Sequence, residues 1–224
     1  TSGVLRPIRI VAPEGTIVNA VLPAAMAAGN VETSQRITDV VLGALSKAAP
    51  GRIPAASSGT MNNLSFGGVT ASGKPFAYYE TIAGGMGASA KADGQSAVHT
   101  HMTNSWNTPV EAFEHQFPLA IEAYKVREGS GGKGKHRGGD GILREYRFLE
   151  PAEVTLLTDR RARGPYGIQG GEAGKPGRNT LIRRRKRVAL GAKTRFEVQT
   201  DDVLRIETPG GGAWGRATAK PTDK

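Results

Sequence analysis

LAIEAYKVREGSGGKGKHRGGDGILREYRFL, residues 119–149, is the stretch whose reading decides the fold. Its ends, 119–128 and 142–149, carry aromatic and branched apolar residues. Between them stand Gly129-Ser130-Gly131-Gly132 and Gly138-Gly139-Asp140-Gly141. Glycine supplies the backbone freedom and close approach that turns need. Taken alone, 119–128 is ambiguous between helix and strand. The flanking glycines favour a strand and predict a long hairpin in which 142–149 returns alongside it.

Outward from this hairpin, short apolar and β-branched runs predict further strands. They are 8–11, 16–20, 64–66, 76–82, 154–158, 180–183, 195–198 and 203–207. Two helices are predicted. In the first, near 31–48, Val31, Ile37, Val40, Val41, Ala44 and Leu45 fall near helical spacing. Asn30 reads as its N-cap, and Pro50-Gly51 stops it after Ala48. The second is short, near 109–117. Thr108, Pro109 and Glu111 match a capping box, and Pro118 ends it. The result is an α+β, β-rich class with many short strands. Residues 1–216 read as a single unit, and 217–224 as a disordered tail.

The chain has 224 residues, 31 of them glycine and none cysteine. Disulfides, zinc–thiolate sites and a cysteine nucleophile are therefore excluded. A reducing, cytoplasmic setting is compatible with that composition. No apolar run approaches a membrane span and no signal peptide is recognised, so no membrane role is expected. The net charge is +10, concentrated around Lys133–Arg137, Arg160–Arg163 and Arg183–Arg187. No aromatic residue interleaves with 183–187, as a nucleic-acid stacking platform would require. The surplus fits better with a partner that balances it.

The densest functional signal is His99-Thr100-His101-Met102-Thr103-Asn104-Ser105-Trp106-Asn107-Thr108-Pro109-Val110-Glu111. His99 and His101 are candidate bases. Thr103, Asn104 and Asn107 are candidate hydrogen-bond donors to a small polar substrate. On a strand the two histidines would share a face. A metal role for that pair, with Asp93 as third ligand, is the weaker reading, and no metal ligand is assigned. Glu80 reads either as a carboxylate of the same site or as an exposed strand residue. Residues 129–135 have a loose phosphate-loop flavour but lack the GK[ST] ending, so tight turns are the expected role.

Several motifs together resemble one family. They are Val11–Gly15 with Val18–Ala20, Gly29–Arg36, His99–Glu111, Ser130–Gly132 with Arg137–Gly139, and Thr208–Gly212. In this order they resemble the hydantoinase B/5-oxoprolinase family, also called the N-methylhydantoinase B or acetone carboxylase alpha subunit family. The likeness is to the C-terminal part of the family's longer chains.

The resemblance implies ATP-dependent opening of a cyclic amide, such as a hydantoin or 5-oxoproline, or ATP-dependent carboxylation of a ketone. It implies a hydantoinase A-like partner that binds ATP with Mg2+ and phosphorylates the substrate oxygen. It places any catalytic metal in the N-terminal remainder of the hydantoinase B-like subunit. The residues themselves leave hydrolase and carboxylase open. A basic binding module or a structural interaction domain is the alternative from another class.

Overall fold

The computed structural model describes residues 9–217. Nine strands form two antiparallel sheets. They are β1 (Asn63–Val69), β2 (Pro75–Glu80), β3 (Leu119–Arg127), β4 (Gly141–Phe148) and β5 (Ala152–Leu157), then β6 (Arg178–Arg183), β7 (Lys186–Leu190), β8 (Lys193–Val198) and β9 (Val203–Glu207). One sheet has the order β2-β1-β5-β8, the other β3-β4-β9-β6-β7. A π-helical turn, Gly29–Thr33, runs into helix α1 (Ser34–Ala48), and α2 spans Val110–Gln116. The architecture is α+β, as the sequence predicts.

The 119–149 hairpin forms as read. β3 and β4 pair from Leu119↔Phe148 to Arg127↔Gly141, with a bulge between Ile121 and Ala123. Alternation then fixes the core. Ile142, Tyr146 and Phe148 on β4 point the same way as Leu204 and Ile206 on β9. They meet Leu64 and Phe66 of β1 and Val154 and Leu156 of β5 in one hydrophobic cluster shared by both sheets. Helix α2 plugs this cluster with Phe113, which packs edge-on against Phe66 and Tyr78 with ring centroids 6.1 and 5.0 Å apart. Removing such a ring costs about 3–5 kcal/mol.

The glycine segments pack backbone on backbone. A Cβ at Gly85 would stand 2.0 Å from the Gly139 carbonyl oxygen and 2.4 Å from the Gly211 amide nitrogen. No side chain fits there. The amides of 130–132 are already bonded, to Arg127 O, the Asp140 carboxylate and Gly211 O. Two of the donors a phosphate would need are thus committed to the loop's own closure and the third to the Gly211 backbone beside it. These residues do not form a nucleotide cradle.

Four local expectations are corrected. The described residues of 8–11 form no strand, and 16–20 is a tight turn closed by a Thr16–Asn19 bridge. These segments lie exposed, without the partner a strand requires. Asn30 is not an N-cap: it lies inside the π-helical turn, and Ala28 occupies the cap position with φ 57°. Thr108 does not cap α2: Pro109 holds that position, and the Thr108 hydroxyl bonds the Tyr78 hydroxyl at 2.8 Å instead. The basic run conceals β7, which pairs with β6 through a turn at Arg184-Arg185. The tail from 218 and Ile8 lie outside the described residues.

Helix α1 ends at Ala48, as expected, but its apolar stripe faces outward. The buried positions are Gln35 and Asp39 in the helix and Glu32 in the π-helical turn before it.

Candidate functional site

The polar run 99–107 is held between two anchors. On one side, Gln35 of α1 donates its amide to Thr100 O at 2.9 Å. On the other, Asn107 donates to Glu80 Oε2 at 2.7 Å and to Thr81 O at 2.8 Å, at the end of β2. Between them opens a cavity of about 440 Å³ whose wall includes His99, Asn104, Trp106, Asn107 and Tyr124. Small-molecule sites commonly occupy roughly 300–1,000 Å³.

His99 is half-buried, and burial lowers its pKa below the ordinary imidazole value. The ring is therefore neutral near pH 7. Its Nδ1 lies 3.3 Å from the Thr103 hydroxyl. Its Nε2 is cut off from solvent and has no partner. A buried, unsatisfied ring nitrogen is uncommon and invites a partner that arrives with a ligand.

His101 goes elsewhere. Its φ of 60° breaks the extended path, so the two histidines do not share a face. Its Nε2 lies 4.0 Å from Asp39 Oδ1, against α1. Asp39 is already paired with Arg36 and Arg160, each at 2.7 Å. Asp93 does not join His99 either. It lies 3.5 Å from His136 Nδ1 and accepts the Arg137 amide. Among the described residues no group of three or more His, Cys, Asp or Glu side chains could hold a metal ion.

Of the expected donors, Asn104 lies free on the rim and Thr103 braces His99. Asn107 is fully engaged: its amide nitrogen serves Glu80 and Thr81, and its oxygen accepts from the Tyr124 hydroxyl at 3.0 Å. Asn107 shapes the wall and is not a free donor.

Beneath it lies a network that sequence reasoning glimpsed only through Glu80. Glu80 is buried and accepts from the Tyr78 hydroxyl at 3.1 Å and from the Tyr146 hydroxyl. Burial, then the nearby Glu80 charge, raise the Tyr146 pKa well above the usual phenol value, so it remains a donor. Arg144, fully buried, sits 3.5 Å from Glu80 and stacks on Tyr124, its guanidinium carbon 4.4 Å from the ring centroid. Tyr124 and Trp106 were missed as wall residues. The only signal in the sequence was the aromatic residue inside an otherwise polar run.

A larger depression, about 580 Å³, lies between Arg183–Arg185 and Gln199–Val203. Its buried carboxylate, Asp202, is consumed by Arg183 at 2.6 Å. We place the candidate site at the His99 cavity, where a polar group stands unpaired.

Two antiparallel sheets over one core, with a polar cavity of small-molecule size where a loop crosses a strand end, define an α+β unit of mixed polar and aromatic lining. The chain belongs to the hydantoinase B/oxoprolinase family, whose sequence pattern it matches over residues 1–217. It is similar to 5-oxoprolinase 1 of Arabidopsis thaliana, at 44% identity over 95% of this chain and 16% of that protein. Its fold is similar to that of an ATP-dependent caprolactamase from Pseudomonas jessenii, with a TM-score of 0.78 and 24% identity over 94% of this chain and 39% of the other. It is also similar to acetone carboxylase in its nucleotide-free structure, with a TM-score of 0.61 and 20% identity over 73% of this chain and 26% of the other. The two structural likenesses concern the fold alone. The chain spans 16% of the plant relative's length. Among the described residues no helix is long and apolar enough to cross a membrane.

Proposed function

We propose that residues 1–216 form the C-terminal unit of a hydantoinase B-like subunit in an ATP-dependent cyclic-amide hydrolase. The substrate class is a lactam, hydantoin or oxoproline ring. A hydantoinase A-like partner binds ATP with Mg2+. ATP, when bound there, supplies the phosphoryl group that turns the amide oxygen into a leaving group.

The observation that carries this reading is the neutral, half-buried His99, a residue of the cavity wall whose Nε2 is sealed from solvent without a partner. A neutral imidazole accepts the proton of an attacking water once a small turn of the ring opens its sealed Nε2 to the cavity, and Thr103 lies at Nδ1. Asn104 donates to developing negative charge. The 44% identity to a protein named 5-oxoprolinase supports ring opening. His101, turned toward Asp39, is a positioning residue that ties the run to α1.

The test is an assay of the assembled enzyme with ATP and a panel of cyclic amides. Stoichiometric ADP and ring-opened amino acid are expected, and His99→Asn removes them while the assembly stays intact. A ketone carboxylase is the second reading, kept by the scaffold shared with acetone carboxylase. ADP release that needs bicarbonate and a ketone, with no ring opening, would replace the first reading by the second.

A further inference from the structure

Helix α1 is amphipathic in the reverse sense. Its inward side is polar and held by several bonds, while the second Glu32 carboxylate oxygen and the Gln35 side-chain oxygen are buried without partners. Glu32, in the preceding turn, accepts from the Thr60 hydroxyl, the Met61 amide and the Asn63 amide at 2.6–3.0 Å. Gln35 bonds Thr100 O, and Asp39 holds Arg36 and Arg160. Tyr166 closes over Gly43, where a Cβ would stand 2.8 Å from its hydroxyl. These bonds forbid rotation of the helix about its axis.

The outward side is the apolar one. Ile37, Val40, Val41 and Leu45 are 45%, 66%, 51% and 48% exposed. Their i, i+3, i+4, i+8 spacing makes a single stripe with no charged residue in it. The apolar surface continues beside the helix start into a groove of about 350 Å³, lined by Ile17, Ala24, Met26, Gly29 and Thr33. Ile17 and Met26 are largely exposed. A contiguous apolar surface of this kind marks a contact that another chain segment covers.

We infer that this face seats the portion of a hydantoinase B-type subunit that lies outside these 224 residues. One observation selects that occupant: the region matched here is 16% of the plant relative and 39% of the caprolactamase chain, so the family's architecture has ample further chain to lay against it. A ridge beside a groove can also meet its own image, each ridge in the other's groove, so a second copy is a distinct outcome of the test. The inference rests on the hydantoinase B-type subunit of the proposed function, and not on His99.

The experiment places the photo-cross-linking residue p-benzoylphenylalanine at position 41 in the assembled enzyme and identifies the linked peptide by mass spectrometry. The expected result is a peptide of the hydantoinase B-type subunit from outside these residues. Linkage solely to a second copy of α1, solely to the ATP-binding chain, or to nothing overturns the inference. In parallel, Val40→Lys with Val41→Lys is expected to cut recovery of the assembled particle at least tenfold, with the circular dichroism of the purified chain unchanged. Val188→Lys, on the exposed edge strand β7, is the control and leaves assembly intact. Unchanged recovery of the double variant also overturns the inference. A His99→Asn enzyme with full activity would sink the catalytic reading and leave this one standing.

Discussion

Glu80 Oε2 and Arg144 Nη1 lie 3.5 Å apart, sealed from solvent, and join the two sheets. Glu80 ends β2 in the four-stranded sheet, and Arg144 stands in β4 of the five-stranded one. The pair sits under Asn107 and Tyr124, so the cavity wall is fixed to both sheets at once. Removing one member of a buried pair strands the other charge, at a cost of about 3–5 kcal/mol. Arg144→Met is expected to show that loss in the denaturant midpoint. Adding Glu80→Gln to it restores part of the stability, because the stranded carboxylate is gone. A double variant no more stable than Arg144→Met alone would show that the pair is not a unit.

The activity of the assembled enzyme should carry an acid limb set by His99. Burial lowers its pKa, so the neutral form persists to a lower pH than for a free imidazole. The kcat/KM profile of the wild type is expected to fall on the acid side with a midpoint below about 6.5. His99→Asn should lose roughly 10²–10⁴ in kcat and abolish that limb. A limb that survives in the variant assigns the titration to another group.

Glu32 makes stability depend on pH in the opposite direction from an ordinary surface carboxylate. Burial raises its pKa from 4.5 to about 7, with the hydrogen bond from Thr60 opposing the shift and nearby Asp159 adding to it. The folded protein therefore holds this proton more tightly than the unfolded chain. The contribution is fully present below the unfolded value and declines as pH rises from about 4.5 to about 7. A shift of that size corresponds to about 3 kcal/mol. Glu32→Gln is expected to flatten this slope in Tm measured against pH, since a glutamine oxygen still accepts from Thr60, Met61 and Asn63. An unchanged slope would move the effect to another group.

Much of the fold was legible because its signals are local. Glycines on both sides of 129–141 announced the hairpin, and the alternation in 203–207 matched β9. What escaped depends on distant partners. The spacing of Ile37, Val40, Val41 and Leu45 revealed a helix but not which side was inside. That choice is made by Thr60, Thr100 and Arg160, far along the chain. The residue types at His99–Asn107 pointed to a polar site, and His99 and Asn104 do stand on one cavity. The left-handed backbone at His101 and the capture of Asn107 by Glu80 and Tyr124 have no signature in the run itself.

The hidden strand β7 has a physical origin that can be tested. It lies at the edge of the five-stranded sheet, and all but its last residue are exposed. Charged residues on an edge discourage pairing with other chains, which is why Lys186 and Arg187 read as part of a basic run. The turn into it places Arg184 at φ 47° and Arg185 at φ 66°. Two consecutive left-handed residues match the two-residue hairpin turn that Asn-Gly adopts with least strain. Side chains with a Cβ are disfavoured there by roughly 1–2 kcal/mol each. Arg184→Asn with Arg185→Gly should therefore raise stability by about 1 kcal/mol, after the entropy lost by the added glycine. A thermal melt reads the gain as a higher Tm. If the pair instead lowers Tm, the arginines make contacts at the tip that outweigh the backbone strain, and the basic turn has a role beyond closing the hairpin.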